Sequence, residues 1–127
     1  AEALHAAVVQ RVMAHAPQRV IDAFSGAGDT AAAIAAQGVR VVAIEADEDA
    51  TAYAATRLAT GSRAIAARVE DVLPAHLPAD VVILNPPRSG VDAKVTAALL
   101  KSPPKAIIYV SCDPATLARD VSRLPGW

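Results

Sequence analysis

The sequence predicts an α/β domain with a doubly wound, mainly parallel sheet. Short runs that are apolar at every position alternate with helical stretches, as expected of parallel strands covered on both faces. Residue types suited to ligands (glycines, carboxylates, an Asn-Pro-Pro run and a Ser-Cys pair) gather just after those strands. In open α/β sheets ligands sit beyond the carboxyl ends of the strands. With right-handed crossovers the arrangement is Rossmann-like.

Residues 3–15 place Leu4, Val8, Val9, Val12 and Met13 on one face of a helix. Arg19–Ala23 reads as the first strand, closed by the turn Phe24-Ser25-Gly26-Ala27-Gly28. Asp29 or Thr30 is the expected cap of an Ala-rich helix to about Gln37, where Gly38 stops it. Val39–Glu45 is a second apolar strand. A helix follows from Asp47 to about Ala59, with Asp47, Glu48 and Asp49 in the first turn, where the helix dipole favours negative charge. Ser62–Ala67 is a third strand, poor in β-branched residues, and Val81–Leu84 a fourth, bounded by Asp80 and Asn85-Pro86-Pro87. Asp92–Leu100 is helical and Ala106–Val110 is a fifth strand. Asp113 as N-cap and Pro114 at the first helical position open the last helix, with Leu117, Val121 and Leu124 on its buried side.

The chain has 127 residues and 13.0 kDa, the size of one domain. Hydrophobic residues make up 54% and charged residues 20%, a globular balance that excludes a disordered chain. Alanine fills 31 positions, and the four aromatics are Phe24, Tyr53, Tyr109 and Trp127, too few for a stacking platform for single-stranded nucleic acid. The net charge of -1 is unevenly spread: residues 1–80 sum to -4 and residues 81–127 to +3, which is compatible with an anionic partner at the C-terminal part. The single cysteine, Cys112, excludes an intrachain disulfide and a thiolate-only metal site, and fits a reducing cytoplasmic setting. No apolar run approaches the ~18 residues of a membrane span.

Four strand ends carry the chemistry. Asp22-x-x-x-Gly26-x-Gly28 allows backbone to approach a nucleoside cofactor closely. With Ala31 it also satisfies the Gly-x-Gly-x-x-Ala dinucleotide fingerprint, which keeps a NAD-type oxidoreductase as an alternative. Glu45, 17 residues past Gly28, is placed to accept the two hydroxyls of a ribose. In Asn85-Pro86-Pro87-Arg88-Ser89-Gly90 the prolines fix an extended backbone and remove two amide donors, holding Asn85 and Arg88 in set directions. Asn-Pro-Pro also resembles the amino-methyltransferase signature, although Arg88 stands where that signature has an aromatic. Cys112 lies just before a helix start, where the dipole favours an anion and Asp113 opposes one. A buried structural thiol and a nucleophile both remain open at this point.

Taken in order, Asp22-x-Phe24-x-Gly26-x-Gly28, Asn85-Pro86-Pro87-Arg88-x-Gly90 and Tyr109-Val110-Ser111-Cys112-Asp113-Pro114-x-Thr116-x-Ala118-Arg119-Asp120 resemble the S-adenosylmethionine-dependent RNA (uracil-C5)-methyltransferases, which modify tRNA and 23S rRNA. The resemblance covers nearly the whole chain. It implies a class I methyltransferase fold, S-adenosylmethionine as cofactor, RNA as partner and no metal in this chain. It further implies that Cys112 is the nucleophile adding to C6 of the target uracil. By the same resemblance Asp22, Phe24, Gly26, Gly28, Asp29, Glu45 and Asn85 line the cofactor site. Asn85 also faces the base, and Arg88 orients the base or a phosphate.

This chain departs from the family at Asn85, where Asp is usual, and at Asp113, where Asn is usual. Arg68 stands where the fold often offers an acceptor to the adenine amino group, with Glu70 or Asp71 as substitutes. The resemblance matches the central part of a catalytic domain, about five strands of it. The expectation is that the RNA-binding domain, the last strands and the general base lie outside these residues, so that the isolated segment is inactive or a non-catalytic fragment.

Overall fold

The computed structural model describes residues 2–127. Six helices alternate with five strands: α1 Glu2–Met13, β1 Arg19–Ala23, α2 Asp29–Ala35, β2 Arg40–Glu45, α3 Glu48–Arg57, β3 Arg63–Ala66, α4 Val69–His76, β4 Val81–Leu84, α5 Ala93–Lys101, β5 Ala106–Tyr109 and α6 Pro114–Ser122. The strands form one sheet of order β3-β2-β1-β4-β5, and every pairing is parallel. The doubly wound expectation holds. The order reverses between β1 and β4, so the crevice for a ligand opens beyond Ala23 and Leu84, which lie side by side in the register.

The two-residue period of the strands sorts the core into two layers. Val20, Val41, Ala43, Val81 and Ile83 point to the layer of α1 and α2, where Val8, Val12, Ala31 and Ile34 meet them. Ile21, Ala23, Ile44, Val82 and Leu84 point to the opposite layer, with Leu73 of α4, Val95 and Leu99 of α5, and Leu124 just after α6. Asp22 sits among the apolar strand residues on the α1–α2 side, between Ile21 and Ala23, and is itself buried.

Several sequence expectations are corrected. No helix was expected between the third and fourth strands, yet α4 forms there. It has eight residues with Pro74 inside, too short and too interrupted to show a clear helical period, and Val69 and Leu73 anchor it to the core. Neither Asp29 nor Thr30 caps α2: the N-cap is Gly28, left-handed at φ 87°, and no side chain caps the helix. Asp29 turns instead to Arg57, and Thr30 to Nδ1 of His5 at 2.9 Å. Leu4 is 53% exposed and Val121 44% exposed, so neither joins the buried face expected of its helix. On α6 the fully buried residue is Asp120, because polar partners draw it inward. By contrast, Asp113 caps α6 with Pro114 in its first turn, as the sequence predicts.

Gly28 is fixed twice over. Its φ disfavours any side chain, and a Cβ there would lie 2.7 Å from Cβ of Ala54 on α3. Gly38 has the same φ of 87° but open space around it. Gly28→Ala is therefore expected to lower stability by roughly 2–4 kcal/mol, against about 1 kcal/mol for Gly38→Ala. Urea unfolding of the two variants checks this, and equal losses would show that α2 and α3 do not touch as described.

Candidate active site

Two clefts meet at the reversal between β1 and β4. The larger, of about 920 Å³, is lined by Asp22, Phe24, Ser25, Asp29, Asn85 and Val110, together with residues of α1 and α2. The smaller, of about 400 Å³, is lined by Phe24, Glu45, Arg68, Glu70, Asn85 and Pro86. Phe24 and Asn85 border both. Volumes of this size suit small-molecule cofactors.

Phe24 is held at φ 66°, the left-handed region that non-glycine residues rarely adopt. This reversal ends β1 and sends the amide of Ser25 to the carbonyl of Ile44 on β2 at 3.0 Å. Glu45 then ties two turns together. Its Oε1 accepts from the amide of Gly26 at 3.0 Å and its Oε2 from the amide of Asp47 at 2.8 Å. Each oxygen keeps a lone pair for a further donor. Arg57 of α3 closes the outer side: it pairs with Asp29, donates to the carbonyl of Ala27 at 3.2 Å and stands 5.4 Å over the ring of Tyr53. That guanidinium holds the exposed Asp29 carboxyl below the usual carboxylate range.

Asp22 is the electrostatic anomaly of the site. It is 3% exposed, and its Oδ2 has no hydrogen-bond partner. Burial, reinforced by the nearby negative charge of Glu45, pushes its pKa up to about 7. An orphaned buried acceptor lining a cleft is a place for a ligand donor.

The second half of the site is built on α6. Ser111 Oγ donates to the carbonyl of Asp113 and accepts from its amide, both at 3.0 Å, which closes a tight turn around Cys112. Oδ1 of Asp113 is occupied by the amides of Ala115 and Thr116 at 3.1 and 3.2 Å, so this acid serves the helix start. Cys112 is left exposed at the turn's tip and lines neither cleft. The loop from Asn85 to Val91 is bound to α6 at three points. Thr116 Oγ1 donates to the carbonyl of Arg88 at 2.9 Å, Arg119 Nη2 to the carbonyl of Ser89 at 2.6 Å, and the amide of Val91 to Oδ2 of Asp120 at 3.0 Å. Arg88 itself is exposed.

Asp120 gathers further donors. Oδ2 also accepts from Tyr109 Oη at 2.5 Å, and Oδ1 takes Arg119 Nε and Nη2 at 3.2 and 3.0 Å. Burial pushes this carboxyl up, but Tyr109, the Val91 amide and Arg119 together outweigh it and hold it below the usual range. Burial and the same carboxylate push the Tyr109 phenol well up.

The structure thus brings Asp22, Phe24, Asp29 and Asn85 into one cleft and Glu45 into the next, with Gly26 and Gly28 shaping the turn between them. Cys112 and Arg88 belong to a separate unit clamped to α6. Sequence reasoning missed His5, Arg57 and Asp120. Only Asp120 left a trace, as the polar residue at helical spacing between Thr116 and Leu124. Among the described residues no group of three His, Cys, Asp or Glu side chains is placed to hold a metal, and no helix is long and apolar enough to cross a membrane.

A parallel sheet of this order, with its Gly-x-Gly turn and strand-end acids, is the Rossmann-like class I methyltransferase fold. A SAM-dependent methyltransferase of Archaeoglobus fulgidus has it too, with a TM-score of 0.69 and 15% identity over 98% of this chain and 68% of that one. Within that class, the chain belongs to the tRNA (uracil-5-)-methyltransferase family, whose profile matches residues 6–126. An uncharacterized RNA methyltransferase of Gloeobacter violaceus is 41% identical across 98% of this chain and 28% of its own length. One from Listeria monocytogenes is 36% identical across 84% of the chain and 25% of its own length. The crystal structure of the Pyrococcus abyssi tRNA (uracil-54, C5)-methyltransferase with S-adenosyl-L-homocysteine matches with a TM-score of 0.85 and 27% identity, over 96% of this chain and 32% of that one. The chain therefore spans about a quarter of the length of the curated relatives it matches.

Asp22 makes its own contribution to the pH dependence of stability, opposite in sign to that of Asp29 and Asp120, whose carboxyls are held low. Its carboxyl ionises at about 7 in the folded protein and at 3.8 in the reference state, so between those values the folded chain binds the extra proton. The contribution of Asp22 is accordingly most favourable below about pH 4, declines as pH rises to about 7, and levels off above it, with a ceiling on the order of 4 kcal/mol. Asp22→Asn is expected to flatten this slope and to raise stability at pH 8. Urea titrations from pH 4 to 8 check it, and an unchanged slope would place the effect elsewhere.

Proposed function

We propose that the protein containing this chain is an S-adenosylmethionine-dependent methyltransferase acting on C5 of uracil in RNA, tRNA or rRNA, through a covalent bond from Cys112 to C6. The observation that carries the reading is Cys112 itself: in a member of this family, an exposed thiol is fixed in a hydrogen-bonded turn that opens α6, the helix to which the Asn85–Val91 loop is clamped. A structural core thiol would be buried.

The residues present fit the cofactor. The unpartnered Oδ2 of Asp22 suits the ammonium of an amino-acid moiety, and the free lone pairs of Glu45 suit a ribose diol. Phe24 and Asn85 border the space between. When bound, S-adenosylmethionine supplies an electrophilic methyl group on a sulfonium. Arg68 occupies the position where an acceptor for the adenine amino group is common and cannot accept, so Glu70, which lines the smaller cleft, or Asp71 takes that role.

The chain's own chemistry is nucleophilic activation. The Cys112 thiolate forms a bond to C6 of uracil, and the C5–C6 π pair moves onto C5 and the adjoining carbonyl oxygen. C5 would then take the methyl carbon, whose bond to the sulfonium breaks with its pair staying on sulfur as S-adenosylhomocysteine. A base removes the proton left on C5, the freed pair restores the C5–C6 double bond, and Cys112 leaves as thiolate. Asn85 and Arg88, at the two ends of a proline-stiffened segment, orient the base or a neighbouring phosphate, the latter suited to a planar guanidinium. The amino-methyltransferase alternative requires an aromatic where Arg88 stands and leaves Cys112 without a role. The NAD-type alternative leaves both clamped loops unexplained.

RNA containing 5-fluorouridine at the target position tests the covalent step, because fluorine on C5 blocks release. The expected outcome, in the presence of S-adenosylmethionine, is a stable adduct to the full-length protein that maps to Cys112 and is lost in Cys112→Ala. An adduct that persists in that variant would overturn the assignment. Cofactor binding has its own signature. An ammonium pairs with ionised Asp22, so S-adenosylhomocysteine should bind more tightly as pH rises towards 7 and release a proton on binding there. Calorimetry in buffers of different ionisation enthalpy checks this, and Asp22→Asn should abolish the released proton.

A further inference from the structure

We infer that Asp120 is a positioning residue that makes the Arg88 loop and the Cys112 turn a single rigid unit, so that base orientation and nucleophilic attack share one frame. The inference deepens the reading of Cys112 as nucleophile and rests on it. Asp120 is 0% exposed and lies eight positions beyond Cys112 along α6. Its two oxygens face four donors: Tyr109 Oη and the Val91 amide on Oδ2, and Arg119 Nε and Nη2 on Oδ1. These donors come from β5, from the loop after β4 and from α6, so one carboxylate joins the loop that carries Arg88 to the two elements between which Cys112 lies.

The fit leaves no slack. Gly90, at φ 82°, has no room for a side chain, since a Cβ would fall 2.5 Å from Asp120 Oδ2 and from Thr116 Cγ2. The loop therefore lies flat on α6, with the backbone of Arg88, Ser89 and Val91 bonded in turn to Thr116, Arg119 and Asp120. Those three α6 residues share the side facing the loop, by helical spacing. An amide at position 120 has only one acceptor oxygen, and its NH2 would confront donors that cannot reverse, such as the Val91 N–H. The carboxylate is thus required by the number of converging donors. Arg88, Ser89 and Val91, whose backbone the clamp holds, line neither cleft, and the part of the loop that does, Asn85 to Pro87, is stiffened by its own two prolines.

The test uses the full-length protein with two mild variants beside Asp120→Asn. Tyr109→Phe removes one donor and keeps the ring in the core, and Thr116→Val removes the bond to Arg88 with little change of shape. Hydrogen exchange at residues 88–91 is expected to quicken by about tenfold or more in each. Formation of the 5-fluorouridine adduct should slow by about tenfold or more, while S-adenosylhomocysteine affinity stays within about twofold, because misplacement of reacting groups costs rate and leaves Asp22 and Glu45 where they are. Unchanged exchange in the loop would overturn the inference. So would a parallel loss of cofactor affinity and adduct rate, since that signals a general loss of structure. If the unmodified protein forms no adduct, the covalent reading fails by itself, and loop exchange together with iodoacetamide alkylation of Cys112 still decides the clamp. Faster exchange with an altered alkylation rate supports it, and no change in either rejects it.

Discussion

A buried carboxylate with four donors is a severe constraint, and in this molecule Asp120 is where it falls. A charge removed from water must be met by hydrogen bonds on every side or it destabilises the fold by several kcal/mol. Asp120 is met on both oxygens, and each partner is thereby fixed: the Tyr109 ring in the core, the loop around Gly90 against α6, and Arg119 across Ser89. Removing one member would leave a buried charge short of a partner. The cysteine half of the site is therefore held together by electrostatic satisfaction more than by apolar packing; α6 has Asp120 as its one fully buried residue.

The cofactor half is built on the opposite plan. Here a buried carboxylate, Asp22, is left unsatisfied, and a bulky residue, Phe24, is held in left-handed backbone. Both features cost stability, and both sit at the reversal of strand order where a ligand enters. The two halves meet through β4. Ile83 and Leu84 lie beside Asp22 and Ala23 of β1 on one side and beside Ile108 and Tyr109 of β5 on the other. A satisfied clamp thus stands next to an unsatisfied pocket within one short strand's width.

What the sequence discloses follows from where the signal is local. Strands buried on both faces are apolar along most of their length, so Val81–Leu84, and the apolar pairs within Arg19–Ala23 and Arg40–Glu45, could be read directly. Asp113-Pro114 announces a helix start by its own chemistry. The strand-end motifs were legible because glycines, prolines and a lone cysteine are unusual in such positions. The rest depends on partners far along the chain. Val121 looks like a core residue until Asp120 turns α6 by bonding to Tyr109 and Val91, 11 and 29 positions away. Asp29 looks like a cap until Arg57 takes it and Gly28 assumes that place. The short α4 depends on tertiary burial of Val69 and Leu73, because Pro74 denies it a regular pattern.

The two prolines after β4 do more than stiffen a loop. Along this strand the hydrogen-bonding direction alternates: Leu84 accepts from Val110 on the β5 side, and Asn85 donates to Ala23 on the β1 side. The next rung towards β5 would need an N–H at position 86, which Pro86 lacks. The next towards β1 would bring the amide of Ser25 to the carbonyl of Asn85, but the turn at Phe24 has already given that amide to Ile44. Pro87 withholds the donor that would follow. The zip is therefore stopped on one side by a missing hydrogen and on the other by a donor already spent, and the strands part at the top of the sheet.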